Sequence, residues 1–204
     1  MADGFWWEPL SVAGVRDLFE GLAAPWWLAG GYALETFVGH AYREHGDIDV
    51  AVFRDDQRAV HDQLSARGWE AHAADPPGML RRWREGESLS PDVHDIWCRE
   101  ASDGPWRLQL MLEERSGDDW VYRRDSAIRR PVSTFGWQTP DGMRVIAPEV
   151  QLLYKARSTS RSQSSKGERD FEVVAPRLPI DARNWLLNVL VTDALGHPWL
   201  DRLG

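Results

Sequence analysis

W-L-A-G-G-Y-A-L-E at residues 27–35, followed by R-E-H-G-D-I-D-V-A-V-F at residues 43–53, is the stretch from which the fold is read. Trp26 to Ala29 is a short apolar run closed by Gly30 and Gly31, and the Y-A-L-E-T-F-V-G segment behind it has helical character. The expectation is a buried strand, a glycine turn and a helix. Ile48, Val50 and Val52 then alternate with Asp49, Ala51 and Phe53, which is the period of a second strand. Asp47 and Asp49 stand two apart where that strand begins, so both side chains point to one face with Cβ atoms roughly 7 Å apart or less.

That spacing has a chemical consequence. Two carboxylates about 4 Å apart repel by roughly 4 kcal/mol at an effective dielectric near 20, and a cation or a shared proton relieves it. Hard oxygen ligands select Mg²⁺, which binds through one or two carboxylates together with substrate phosphates. The glycine turn at Gly30 and Gly31 opens a helix, where free N–H groups and the helix dipole favour a phosphate. A D-x-D alone, or a Gly-Gly turn alone, is ordinary in a chain this long. Together they place a phosphate cradle beside a hard-metal site, and phosphoryl or nucleotidyl transfer is the chemistry that uses both.

Outward from this core, Ser11 precedes a run in which Val12, Val15, Leu18, Phe19 and Leu22 recur at helical spacing, ended by Gly21 and Pro25. Gln57 to Arg67 reads as a helix ending at Gly68. W-E-A-H-A-A, V-H-D-I-W-C-R and W-R-L-Q-L-M-L-E read as strands, the last two joined by the turn A-S-D-G-P as antiparallel neighbours. Met79 to Glu87 fits helix or strand. From Pro148 a helix starts with proline in its first turn. The polar stretch from Ser158 to Gly167 reads as a mobile loop, and helices follow over E-R-D-F-E-V-V-A and D-A-R-N-W-L-L-N-V-L, the latter capped by Asp181.

Composition narrows the class. A chain of 204 residues with 43% hydrophobic and 27% charged side chains can bury a core in one domain, or in a catalytic domain with a smaller helical one behind it. The twelve Trp serve core and pocket walls. A net charge of −8 works against sequence-independent nucleic-acid binding and suits a cationic small substrate better. Cys98 is the single cysteine, which excludes an internal disulfide and a cysteine-built zinc site and points to a reducing cytoplasm. Neither a signal-peptide pattern nor an 18-residue apolar run is present, so no membrane association is expected.

The glycine pair, Arg43 twelve positions after Gly31, and the R-x-H-x-D-I-D form resemble the polymerase-β-like nucleotidyltransferases, in particular the aminoglycoside 2″-adenylyltransferases and lincosamide nucleotidyltransferases. The likeness is strong over residues 25–53 and looser to about residue 115. It implies Asp47 and Asp49 as metal ligands, Gly30 and Gly31 along the triphosphate, and Arg43 near the phosphates. It implies a third carboxylate on a later strand, as ligand or as the base for the acceptor hydroxyl. Asp95 in V-H-D-I-W is the candidate, with Glu113 or a site lacking this group as alternatives, since Gln109 stands where an acid could have stood. Relatives place a lysine of the Pro148 helix on the phosphates, which points to Lys155. Arg123 and Arg124 are lower-ranked phosphate or acceptor contacts, Lys166 and Asp170 flank the polar loop, and His45 and His94 read as structural.

The expectation is an α+β fold: a catalytic domain with a mixed sheet and flanking helices over residues 1–115, and a mostly helical region over 116–204. Its activity would be Mg²⁺-dependent transfer of a nucleoside monophosphate from a nucleoside triphosphate, ATP first among them, to a hydroxyl of a small polar acceptor such as an aminoglycoside-like antibiotic. The alternatives are a toxin-type enzyme modifying tRNA and a nucleotide-binding module without catalysis.

Overall fold

The computed structural model describes residues 6–157 and 161–204, the side chains of 161–163 excepted. Helix α1 (Val12–Leu18) leads to β1 (Trp26–Ala29), α2 (Gly30–Val38) and β2 (Asp49–Phe53). The Ser11 hydroxyl accepts the Gly14 N–H and caps α1. After α3 (Gln57–Ala66) come β3 (Glu70–Ala74), β4 (Leu80–Arg82), β5 (Asp95–Arg99) and β6 (Leu108–Ser116). Short elements follow: β7 (Asp119–Val121), β8 (Arg129–Pro131), α4 (Val132–Phe135), β9 (Gly136–Gln138) and β10 (Arg144–Ile146). The chain ends in α5 (Pro148–Ala156), α6 (Arg161–Val174), α7 (Ile180–Asp193) and α8 (Leu200–Leu203).

The strands form one mixed sheet in the order β4-β3-β5-β6-β2-β1-β10-β9, with β7 and β8 branching from β6. β2 lies antiparallel to β1 and parallel to β6, and β5 and β6 are antiparallel neighbours, as the hairpin reading expects. Alternation along β1 and β2 divides the core in two. Leu28, Val50 and Val52 enter a cluster with Val15 and Leu18 of α1, Phe19 just after it, and Val60 and Leu64 of α3. Trp27, Ala51 and Phe53 enter a second cluster with Leu152 and Leu153 of α5, Phe171 of α6 and Leu186 of α7. Each such fully buried side chain contributes about 1.5–3 kcal/mol of apolar burial, so β2 is fixed from both faces and its register cannot slip without exposing one of them. Trp27 meets Phe53 and Phe135 edge-on, both with ring centroids 5.2 Å apart.

Several expectations change. The sheet continues past residue 115: β10 pairs parallel with β1, and the unbroken helical part begins at Pro148. Helix α6 starts at Arg161, inside the stretch read as a mobile loop; residues 158–160 of that stretch lie outside the described residues. Gly167 lies on the side of α6 that faces α5, where a Cβ would stand 3.4 Å from the Lys155 carbonyl oxygen, an ordinary contact. Asp181 sits in the first turn of α7 rather than capping it; Pro179 holds the cap position and Asp181 complements the helix dipole instead. The Met79–Glu87 ambiguity resolves as the short strand β4. Among the described residues, no helix is long and apolar enough to cross a membrane.

Candidate active site

Gly30 has φ +64°, and a Cβ there would lie 1.8 Å from Oδ2 of Asp49. Any other residue would collide with that carboxylate, so the glycine is dictated twice, by its backbone and by this approach. A Cβ on Gly31 would lie 2.2 Å from the His45 ring and 2.5 Å from the Arg43 guanidinium. The R-x-H segment is therefore seated on the second glycine as Asp49 is on the first, which is why the two motifs occur together. The Gly30 N–H donates to Gln151 Oε1 at 2.7 Å and is committed to α5; Gly31 presents the next N–H of the turn.

Asp49 begins β2, Asp47 lies exposed just before it, and Asp95 begins β5. Between β2 and β5 runs β6, where Gln109 is registered beside Asp49 and donates to Asp95 Oδ1 at 3.2 Å. The amide thus links β2, which carries Asp49, to β5, which carries Asp95. Burial first, then the neighbouring charges of Asp47 and Asp95, push the Asp49 carboxyl up to about 7, against the opposing pull of Lys155 and Arg43. A cation brought close to Asp49 would lower that pKa again.

The cations converge on one buried acid. Asp170 of α6 accepts from Arg43 Nε at 2.7 Å and Nη2 at 3.0 Å, from the Tyr42 hydroxyl at 2.9 Å, and pairs with Lys155 Nζ at 2.8 Å. Burial raises its carboxyl, but the hydrogen bonds and charges of Arg43 and Lys155 outweigh this and hold it below the ordinary range. Asp170 therefore orders two cations from distant parts of the chain along one side of the cleft. Glu35 does the same for the loop: its carboxylate accepts the N–H groups of Tyr42 at 2.9 Å and Arg43 at 3.2 Å and lies 3.0 Å from His45 Nε2. His45 packs on Tyr32, ring centroids 4.4 Å apart, and burial followed by the Arg43 charge lowers its pKa, which fits a neutral, structural ring.

Gly30, Gly31, Arg43, Asp47, Asp49, Asp95 and Lys155 all line one cleft of about 350 Å³. Arg123, Arg124 and Lys166 line it as well. Glu113 does not: it is buried on the other side of Tyr154, accepting from the Tyr154 hydroxyl and from Trp120 Nε1. His94 lies outside the lining, with Nδ1 3.3 Å from Arg54. The sequence reading missed Gln151, Met111, Tyr154 and Arg157 as lining residues and Tyr42 and Glu35 as supports. Gln151 carried one usable signal, lying four residues before Lys155 and so on the same helical face. Among the described residues no group of three or more His, Cys, Asp or Glu is arranged to hold a metal by itself. The Asp47 and Asp49 pair suits an ion that takes its remaining ligands from phosphate and water.

A family model described as aminoglycoside-2″-adenylyltransferase matches residues 11–151. A lincosamide resistance protein of Staphylococcus haemolyticus is 26% identical over 111 residues, a match spanning 54% of this chain and 65% of that protein. Among solved structures, a lincomycin-bound lincosamide antibiotic adenylyltransferase superposes with a TM-score of 0.51 at 16% identity, over 82% of this chain and 98% of its own. The ANT(2″)-Ia protein in complex with adenylyl-2″-tobramycin superposes with a TM-score of 0.56 at 13% identity, over 87% and 93% respectively. At these identities the superpositions show a shared fold.

Proposed function

The chain belongs to the aminoglycoside-2″-adenylyltransferase family, and from that premise we propose that it transfers AMP from Mg²⁺-bound ATP to a hydroxyl of a small antibiotic-type acceptor in the cytoplasm. The observation that carries the reading is the seating of Asp49 against Gly30, with Asp47 and Asp95 beside it and Arg43 and Lys155 within the same cleft. Asp47 and Asp49 would hold the Mg²⁺, which supplies charge neutralisation of the phosphates and orientation of the α-phosphate. Arg43 and Lys155, ordered by Asp170, bind the β- and γ-phosphates and steady the departing charge. Asp95 takes the acceptor hydroxyl proton as the oxygen bonds to the α-phosphorus; the bond from that phosphorus to the β-bridging oxygen breaks, and pyrophosphate leaves. Gln109 holds Asp95 in place by its 3.2 Å hydrogen bond.

The test is pyrophosphate release from ATP and Mg²⁺ with lincomycin, tobramycin and related hydroxyl-bearing antibiotics, with product mass measured in parallel. An adenylylated product that disappears in Asp47→Asn and Asp49→Asn is expected. No product with any of them would reject the reading, and label appearing in bulk tRNA instead would establish the macromolecular alternative.

A further inference from the structure

A glycine turn that faces phosphate does so with its N–H groups, and here one of them is already spent. The buried Gly30 N–H donates to Gln151 Oε1 of α5 at 2.7 Å. That bond settles which way the side chain is turned. A backbone N–H can only donate, so the atom facing it is the amide oxygen, and the NH2 group of the same side chain points elsewhere. Gln151 is 3% exposed, yet it lines the cleft together with Gly30, Gly31 and Lys155. Among the described residues no acceptor meets its Nε2, and the atom is not sealed within the interior. An NH2 group held in so closed a place without a partner is costly, so the position calls for an acceptor from outside the chain.

The surroundings say what that acceptor is. Gln151 and Lys155 are four apart on α5 and share a face, which sets their polar heads about one helical turn apart. Lys155 reaches Asp170 at 2.8 Å, and Arg43 pairs with the same acid. The Gln151 amide therefore stands between the glycine turn and the two cations, along the side of the cleft assigned to the triphosphate. With its oxygen committed to Gly30, it has donors alone to offer there, which suits an anion. Gln109, the other amide among the described lining residues, differs in this respect, because its NH2 group is taken up by Asp95 at 3.2 Å.

We propose that Gln151 Nε2 donates to an oxygen of the β- or γ-phosphate, in place of the Gly30 N–H that the same side chain withdraws from the turn. The inference rests on the transfer reading above and adds an uncharged ligand to the triphosphate site. It is tested by calorimetric titration of ATP with Mg²⁺ into the wild type, Gln151→Leu and Gln151→Glu, with folding checked by thermal melting. Glutamate keeps an oxygen for the Gly30 N–H but loses the NH2 group and adds negative charge, so a side chain that merely supports the turn would be replaced by it without loss of ATP. A donor to phosphate gives the opposite: affinity about tenfold lower in Gln151→Leu and lower still in Gln151→Glu. The wild type supplies a reading that needs no variant to fold. In ¹⁵N–¹H spectra the Gln151 side-chain amide should move downfield when Mg²⁺ and a non-hydrolysable ATP analogue are added, and stay in place with adenosine. Wild-type ATP affinity in either variant, or an amide resonance indifferent to the analogue, overturns the donor role while leaving transfer standing. A wild type that binds no ATP in the presence of Mg²⁺ overturns the transfer reading itself.

Discussion

Asp49→Asn is expected to abolish transfer and, in metal-free buffer, to raise the melting temperature. The Asp49 carboxyl is pushed from 3.8 to about 7 by burial and by the charges of Asp47 and Asp95. The folded state therefore binds this proton more tightly than the unfolded chain does. Stability falls as pH rises from about 4 to about 7 and is level above that. The full shift corresponds to about 4 kcal/mol at 1.36 kcal/mol per unit. Coupling to Asp47 and Asp95 and partial solvent screening reduce the expected gain to about 2 kcal/mol. For a chain of 204 residues this is a rise of roughly 4–8 °C. Calorimetric scans in EDTA at pH 8 and pH 4 measure it: the gain should be present at pH 8 and absent at pH 4. An unchanged or lower melting temperature at pH 8, or a gain of equal size at both pH values, would refute the electrostatic reasoning.

Other substitutions probe the supports. Gly30→Ala puts a methyl group 1.8 Å from the Asp49 carboxylate; transfer should be lost and the melting temperature lowered, and a variant of wild-type activity would show that the turn is not seated as described. Gln151→Leu leaves the buried Gly30 N–H without its acceptor, so kcat/KM for ATP should fall by about tenfold while the acceptor KM holds; equal loss for both substrates would argue for general disruption. Asp170→Asn removes the charge that Arg43 and Lys155 share and should destabilise by about 3–5 kcal/mol, read by urea unfolding. Because the Asp170 carboxyl is held below its ordinary value, that contribution is present above about pH 4 and fades as pH falls further, so the variant and the wild type should converge in acid.

Local patterning made β1, β2 and β5 legible. The glycine turn, the helix behind it and the alternation through Phe53 are properties of neighbouring residues, and each survived folding because the two cores on either side of β2 demand the same register. Asp95 could be placed because apolar neighbours marked its strand and a turn marked its pairing partner. Contacts made across long separations were not legible. The Arg43 to Asp170 pair spans 127 positions and the Gly30 to Gln151 bond 121, and neither leaves a local pattern. Asp170 was read as the flank of a loop, yet it is the buried centre of the cation cluster. β9 and β10 have three residues each, too short to show alternation, and they join the sheet only because β1 offers an open edge.

The proposed transfer requires Asp47 and Asp49 to grip a divalent ion against a triphosphate. Calorimetric titration of ATP into the wild type, Asp47→Asn and Asp49→Asn, each with Mg²⁺ and with EDTA, measures that directly. Tight binding to the wild type that requires Mg²⁺ and is lost in both variants is the predicted result. ATP affinity that is the same with EDTA, or undiminished in either variant, contradicts it.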